Sequence, residues 1–141
     1  MKINHLALVA VFMLAFANCK KNADQPATWL TSKIWKRALI DKDPSTNPQG
    51  ANIYYAVQNC EKDDTFKFGT DGNLAINRGA QKCELNEQQN ETQTYSVDRA
   101  KKELIINGVK FTLAEETTEQ IKYYATVPFA TGYQQLIFLL Q

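Results

Sequence analysis

The sequence predicts an all-β protein, an antiparallel meander of about eight strands that closes into a small barrel. From Ile34 onward, apolar and polar residues alternate with a period of two, as in strands that bury one face. Two short turns, Asp71-Gly72 and Asn107-Gly108, join pairs of these stretches and are typical of tight hairpins. A helical pattern of 12 or more residues is absent after residue 18. The alternative arrangement is a two-layer β-sandwich.

The alternation also places the individual strands. We predict them at residues 34–40, 64–68, 73–77, 93–97, 103–106, 109–113, 119–127 and 133–140. Residues 41–50 contain two prolines and predict a loop, and residues 83–91 predict a polar loop. Residues 51–59 are ambiguous between a short helix and irregular structure. Eight strands suffice for a barrel whose interior holds side chains or one small ligand.

Apolar side chains of these strands form an inward-facing stripe. Its members are Phe66, Phe68, Leu74, Ile76, Tyr95, Phe111 and Phe138. Aromatic rings suit mixed apolar and polar ligands because Tyr and Trp carry a polar group on an apolar body. The candidate ligand-binding residues are Trp35, Phe66, Phe68, Tyr95, Phe111 and Tyr123. The alternative is that these rings only fill the core.

The first 18 residues have the pattern of a signal peptide. Lys2 supplies a positive charge, and residues 6–17 form an apolar run of 12 residues. A helix that spans a bilayer needs about 20 such residues. Cys19 follows this run directly, which resembles the lipobox of bacterial lipoproteins and implies cleavage before Cys19 and acylation of its thiol. The alternative is an ordinary secretory peptide. We expect residues 19–27 to be a tether and 28–141 the domain.

Cysteine and histidine content narrows the chemistry. An exported chain meets an oxidising compartment, so with Cys19 acylated we expect a disulfide between Cys60 and Cys83, the alternative being two free buried thiols. The chain's single histidine, His5, lies in the predicted signal peptide. Histidine-dependent nucleophilic catalysis and His-ligated metal sites are therefore excluded for the mature chain. We expect no enzyme activity, no metal site and no cofactor.

The remaining charges favour neither catalysis nor nucleic-acid binding. The formal net charge is +1, too small for a protein that binds nucleic acid by neutralising phosphates. The acidic pairs Asp63-Asp64 and Glu115-Glu116 are adjacent in sequence, and adjacent strand residues point to opposite faces. Neither pair is therefore expected to converge on one substrate.

The segment from Cys60 to Cys83 resembles the lipocalin-like family of bacterial lipoproteins. It contains Asp63-Asp64, the Phe66-Lys67-Phe68 alternation and the Asp71-Gly72 turn, and the resemblance extends over residues 28–141. It implies a barrel with Trp35 at its closed end.

Two functions are consistent with these features. The first is a lipoprotein, anchored to the membrane by its lipid and located in the outer membrane, whose barrel binds a small apolar or amphipathic ligand in the cell envelope. The second is a non-enzymatic structural lipoprotein with a filled barrel that docks an envelope protein partner. With less than ~300 Å³ of free interior volume, ligand binding would lose its basis. An exposed apolar patch of several hundred Å² on a filled barrel would favour the second function.

Overall fold

The structure is a computed structural model that describes residues 29–141. In this part of the chain, nine strands form one curled sheet, and the helical structure consists of a four-residue α-helix, α1 (Trp29–Ser32), and two 3-10 turns, Pro44–Thr46 and Asn59–Glu61. The strands are β1 (Trp35–Lys36), β2 (Asn52–Tyr54), β3 (Thr65–Phe68), β4 (Asn73–Asn77), β5 (Asn90–Asp98), β6 (Glu103–Ile106), β7 (Val109–Glu116), β8 (Ile121–Phe129) and β9 (Gly132–Leu140). The predicted all-β class is confirmed.

The predicted signal peptide, the acylation site Cys19 and the tether lie outside the described residues. From residue 29 onward, no helix has the length and apolar character needed to cross a membrane.

The sheet is an antiparallel meander from β3 to β9, with β1 and β2 added at its two ends. Its spatial order is β1-β3-β4-β5-β6-β7-β8-β9-β2. The ambiguous segment 51–59 contains β2, which pairs in parallel with β9 and places Asn52 opposite Gln135. The prediction for this segment was therefore wrong in leaving out a strand. The sequence pattern that could predict β2 is weak, because the strand has three residues and its partner strand β9 is distant in sequence.

The residues around Arg37 connect the first and last strands of the meander, β3 and β9. Trp35 and Lys36 pair with β3, and Arg37 forms an antiparallel bridge to Leu140. Backbone hydrogen bonds join Lys36 and Gln141 in both directions at 2.9 Å, and the Ala38 N–H donates to the Leu139 carbonyl at 3.1 Å. The predicted strand 34–40 is thus reduced to two residues, because the chain leaves β3 for β9 after Lys36. The barrel-like curl agrees with the prediction.

The turn between β6 and β7 has the backbone geometry that its residues predict. Asn107 and Gly108 have φ angles of 48° and 80°, and Ile106 pairs with Val109 across the turn. Positive φ at both central residues matches the right-handed twist of the flanking strands.

The helix α1 closes one end of the barrel. Leu30 and Trp35 are fully buried, and the Trp35 indole Nε1 donates to the Leu30 carbonyl at 2.8 Å. The Glu116 carboxylate accepts a hydrogen bond from the Leu30 backbone N–H at 3.1 Å. It also accepts two hydrogen bonds from the Arg99 guanidinium, each 2.7 Å long. Trp35 is therefore buried beside α1.

Lys122 is fully buried on the opposite face of β8 from Ile121 and Tyr123. Its ammonium group donates to the Asp43 carbonyl at 2.5 Å, the Thr46 hydroxyl at 2.7 Å and the Asn47 side chain at 2.9 Å. It also lies 2.9 Å from an Asp41 carboxylate oxygen and 3.7 Å from one of Glu115. These contacts fix residues 41–47 to the outer wall of the barrel.

Gln120 extends this polar cluster. It is fully buried, and its side-chain nitrogen donates to Asp41 and Glu115 at 2.9 Å each. Burial acts to raise the pKa of Asp41, but hydrogen bonds from Lys122, Tyr54 and Gln120 outweigh it and hold the pKa below its ordinary value. Asp41 is therefore the anionic partner of Lys122.

Replacing Lys122 with Met should destabilise the fold by about 3–5 kcal/mol, because Asp41 and Glu115 would stay buried without their cation. Chemical denaturation of the variant measures this loss. The control is Lys110→Met, which removes an ion pair whose lysine side chain is 70% exposed, and it should cost less than about 1 kcal/mol. Equal losses in the two variants would show that the buried cluster does not stabilise the fold.

Candidate ligand cavity

A cavity of about 280 Å³ lies inside the curled sheet. Most of its wall is aromatic or aliphatic and comes from strands β3 to β9, with Phe66, Phe68, Leu74, Ile76, Phe111 and Phe138 among the lining residues. Four polar side chains also reach it, namely Arg37, Arg78, Gln93 and Asn107. Asn107 belongs to the β6–β7 turn and Arg78 follows β4, so this polar side faces away from α1.

Four of the six predicted ligand-binding residues line the cavity, and two do not. Phe66, Phe68, Phe111 and Tyr123 line the cavity. Trp35 lies instead at the closed end. The Tyr95 hydroxyl donates to the Gly69 carbonyl at 2.6 Å, and its ring packs edge-to-face on Phe68 at 4.9 Å. Tyr95 therefore packs against the core next to Phe68 and does not line the cavity.

Three aromatic rings on one side of the cavity, those of Phe111, Tyr123 and Phe138, pack against one another, and Tyr55 stacks on Phe138 from outside the cavity lining. Phe138 is stacked on Tyr123 at 5.1 Å and on Tyr55 at 5.0 Å. Phe111 meets Tyr123 and Phe138 edge-to-face at 5.2 and 5.7 Å. Ring pairs at these distances contribute about 0.5–1.5 kcal/mol each beyond the apolar area that they bury.

Arg37 reaches this aromatic wall and was not singled out by the sequence. Its Nη1 donates to the Tyr123 hydroxyl at 3.0 Å. Its guanidinium carbon lies 4.7 Å from the ring centre of Phe66, 5.2 Å from Tyr55 and 5.6 Å from Phe138. The Nε atom is buried without a hydrogen-bond partner. The alternation of the sequence puts Arg37 on the same face as Trp35. A charged residue on a face that points inward is the sequence feature that could have identified Arg37 as a site residue.

Arg78 lies in a different electrostatic environment. Its guanidinium contacts carboxylate oxygens of Asp64 at 3.2 Å, Glu87 at 3.3 Å and Glu91 at 2.8 Å. Burial raises the pKa of Asp64 above its ordinary value, although the contact with Arg78 acts in the opposite direction. Arg78 is thus surrounded by carboxylates, and its Nε, which like that of Arg37 has no hydrogen-bond partner, still lies 3.3 Å from a Glu87 oxygen. Within residues 29–141, Arg37 has no carboxylate oxygen within 4.0 Å.

A disulfide fixes the loops beside Arg78. Cys60 and Cys83 are bonded, with their Cα atoms 5.2 Å apart, so the predicted pairing is confirmed. Nearby, the Ala80 N–H donates to the Asp63 carboxylate at 2.7 Å, and the Tyr55 hydroxyl donates to Glu61 at 2.7 Å. The chain segments before β3 and after β4 are therefore held together.

Comparisons with known proteins add no family assignment: the chain matches no protein-family model, no curated protein and no solved structure. In the portion of the chain from Trp29 to Gln141, no three His, Cys, Asp or Glu side chains are grouped so that they could hold a metal ion.

Removing the disulfide should destabilise the domain by about 3 kcal/mol, because the bond closes a loop with a sequence separation of 23 residues. The double variant Cys60→Ser, Cys83→Ser, compared with the parent by chemical denaturation, measures this effect. Treating the double variant with reductant should change nothing further. A double variant as stable as its parent would show that the bond does not constrain the unfolded chain.

Proposed function

We propose that this protein is a membrane-anchored lipoprotein of the lipocalin-like kind whose β domain binds one small apolar or amphipathic molecule in the cell envelope. The observation that carries the proposal is the lining of the cavity, which is mostly apolar with four polar side chains. The volume of about 280 Å³ falls just below the ~300 Å³ stated above for ligand binding, so the proposal does not rest on the volume. A concave, mostly apolar pocket with a few converging polar groups is the usual form of a small-molecule site.

The volume limits the size of the ligand. Pockets for drug-sized molecules span about 300–1,000 Å³, and this cavity falls just below that range. The structure therefore leaves less room than a carrier of large lipids needs. A dry cavity of about 150 Å³ accommodates benzene. A ligand with one or two rings, or a chain of roughly eight carbons, fits this scale.

The anchor is proposed from the sequence. The apolar run that ends directly before Cys19 supports acylation of that residue. Two or three acyl chains would hold the protein firmly on a membrane, since each buried methylene contributes about 0.8 kcal/mol. We place it in the outer membrane.

A second candidate is a structural lipoprotein that docks an envelope protein. The modest free volume favours it, as does the exposure of Leu39 and Ile40, which are 65% and 75% exposed. Contiguous exposed apolar patches are common at protein interfaces, and these two residues are neighbours in the chain.

The cavity can be tested with 1-octanol as an apolar probe of suitable size. The full chain carrying Cys19→Ser, which cannot be acylated at this position, should bind 1-octanol in isothermal titration calorimetry. Ile106→Trp should weaken binding by about tenfold or more, which equals about 1.4 kcal/mol, because Ile106 lines the cavity.

The matched control is Ile105→Trp, since Ile105 is the neighbour of Ile106 on the opposite face of β6. It should bind 1-octanol as the parent does. If the parent does not bind 1-octanol, or if the two tryptophan variants bind it equally well, the cavity is not a binding site and the structural function is favoured.

A further inference from the structure

Arg37 has unused hydrogen-bonding capacity inside the cavity. A guanidinium has five N–H donors. In the structure one nitrogen, Nη1, donates to the Tyr123 hydroxyl, while the buried Nε has no partner. A buried donor without an acceptor is unfavourable, so native structures rarely keep one without a reason. Because Nε has almost no exposed surface, an acceptor on a ligand would be met instead by the Nη2 group, which is not buried and donates to no atom of residues 29–141.

The position of this guanidinium is well defined. The backbone on either side of Arg37 is bonded to the end of β9, through Lys36 and Ala38. The rings of Phe66, Tyr55 and Phe138 surround the guanidinium at 4.7 to 5.6 Å, distances at which an aromatic face attracts a cation. The side chain is therefore held in place before any ligand arrives, which lowers the entropy cost of binding.

We infer that the ligand is a small monocarboxylate, whose anionic head group is bound by Arg37 and whose apolar body fills the cavity. This inference rests on the proposed function and names its ligand class. A carboxylate matches the planar donor pattern of arginine and can accept two parallel hydrogen bonds from it. The cavity volume restricts the apolar body to the small size derived above.

Arg78 is the competing candidate for an anion site, and its contacts argue against it. Asp64, Glu87 and Glu91 already surround its guanidinium. An incoming carboxylate would have to displace one of them and would meet the charge of the others. Three carboxylates surround Arg78, so the electrostatic potential beside it does not attract anions from a distance. Selectivity for an anion therefore has to come from direct contact with Arg37.

Octanoate and 1-octanol test the inference, because they differ only in the head group. With the full chain carrying Cys19→Ser at neutral pH, octanoate should bind at least about tenfold more tightly than 1-octanol in isothermal titration calorimetry. Arg37→Met should reduce octanoate binding to the level of 1-octanol and change 1-octanol binding less than about threefold.

Lys67→Met is the matched control, since it removes a cation from the exposed face of β3. It should keep the full preference for octanoate. Arg37→Lys, which retains the charge without the two-pronged geometry, should show a reduced preference.

Each outcome decides the matter. Equal binding of the two probes by the parent, or a preference that survives in Arg37→Met, overturns the inference and leaves the proposed function in place. Failure of both probes to bind overturns the inference and the proposed function together. The comparison of probes in the parent remains decisive even if the Arg37 variants do not fold.

Discussion

The architecture depends on the backbone hydrogen bonds between Lys36–Ala38 and the end of β9. This three-residue segment is bonded to β3 on one side and to β9 on the other, so it joins the first and last parts of the meander. A curled sheet without such a junction would expose two unpaired edges. The junction also sets the alternation that directs Trp35 to the closed end and Arg37 to the cavity. The same backbone hydrogen bonds therefore connect the two sides of the sheet and position Arg37 in the cavity.

The buried cluster around Lys122 supports this junction from outside. Gln120 accepts a hydrogen bond from the Gln141 side chain at 2.8 Å, and Gln141 is the residue that pairs with Lys36. The cluster thus connects loop 41–47, β8 and the chain end beside the junction. Buried ion pairs contribute little net stability compared with apolar packing, yet they penalise arrangements that leave a charge unpaired. The free-energy cost of leaving Lys122 unpaired therefore favours the one position of loop 41–47 that supplies its partners.

The sequence predicts local features of this fold better than distant ones. The hairpins β3–β4 and β6–β7 follow from alternation and from turn residues that tolerate positive φ, both of which act over a few residues. The parallel pairing of β2 depends on β9, about 80 residues away, and leaves no local pattern. Lys122 has the pattern of a solvent-facing strand residue, and it is buried because a separate loop covers it. For the candidate site, alternation places Phe66, Phe68, Phe111 and Tyr123 inward, but only the three-dimensional arrangement shows that Arg37 lacks a carboxylate while Arg78 has three.

If the domain binds a ligand as proposed, the aromatic side chains of the cavity and the Arg37 guanidinium would together determine which ligands it selects. Rings such as Phe111 and Phe138 occupy much of the interior, so affinity from apolar contact alone is limited by the area that remains. A neutral ligand of the right size would cover Arg37 and remove it from water without replacing the lost hydrogen bonds. A ligand with a carboxylate would replace them. Because a site with an unpaired buried polar group rejects ligands that cannot satisfy it, discrimination between head groups can exceed discrimination between chain lengths. If the domain binds a ligand as proposed, Arg37, which three rings surround, would contribute more to specificity than the shape of the cavity.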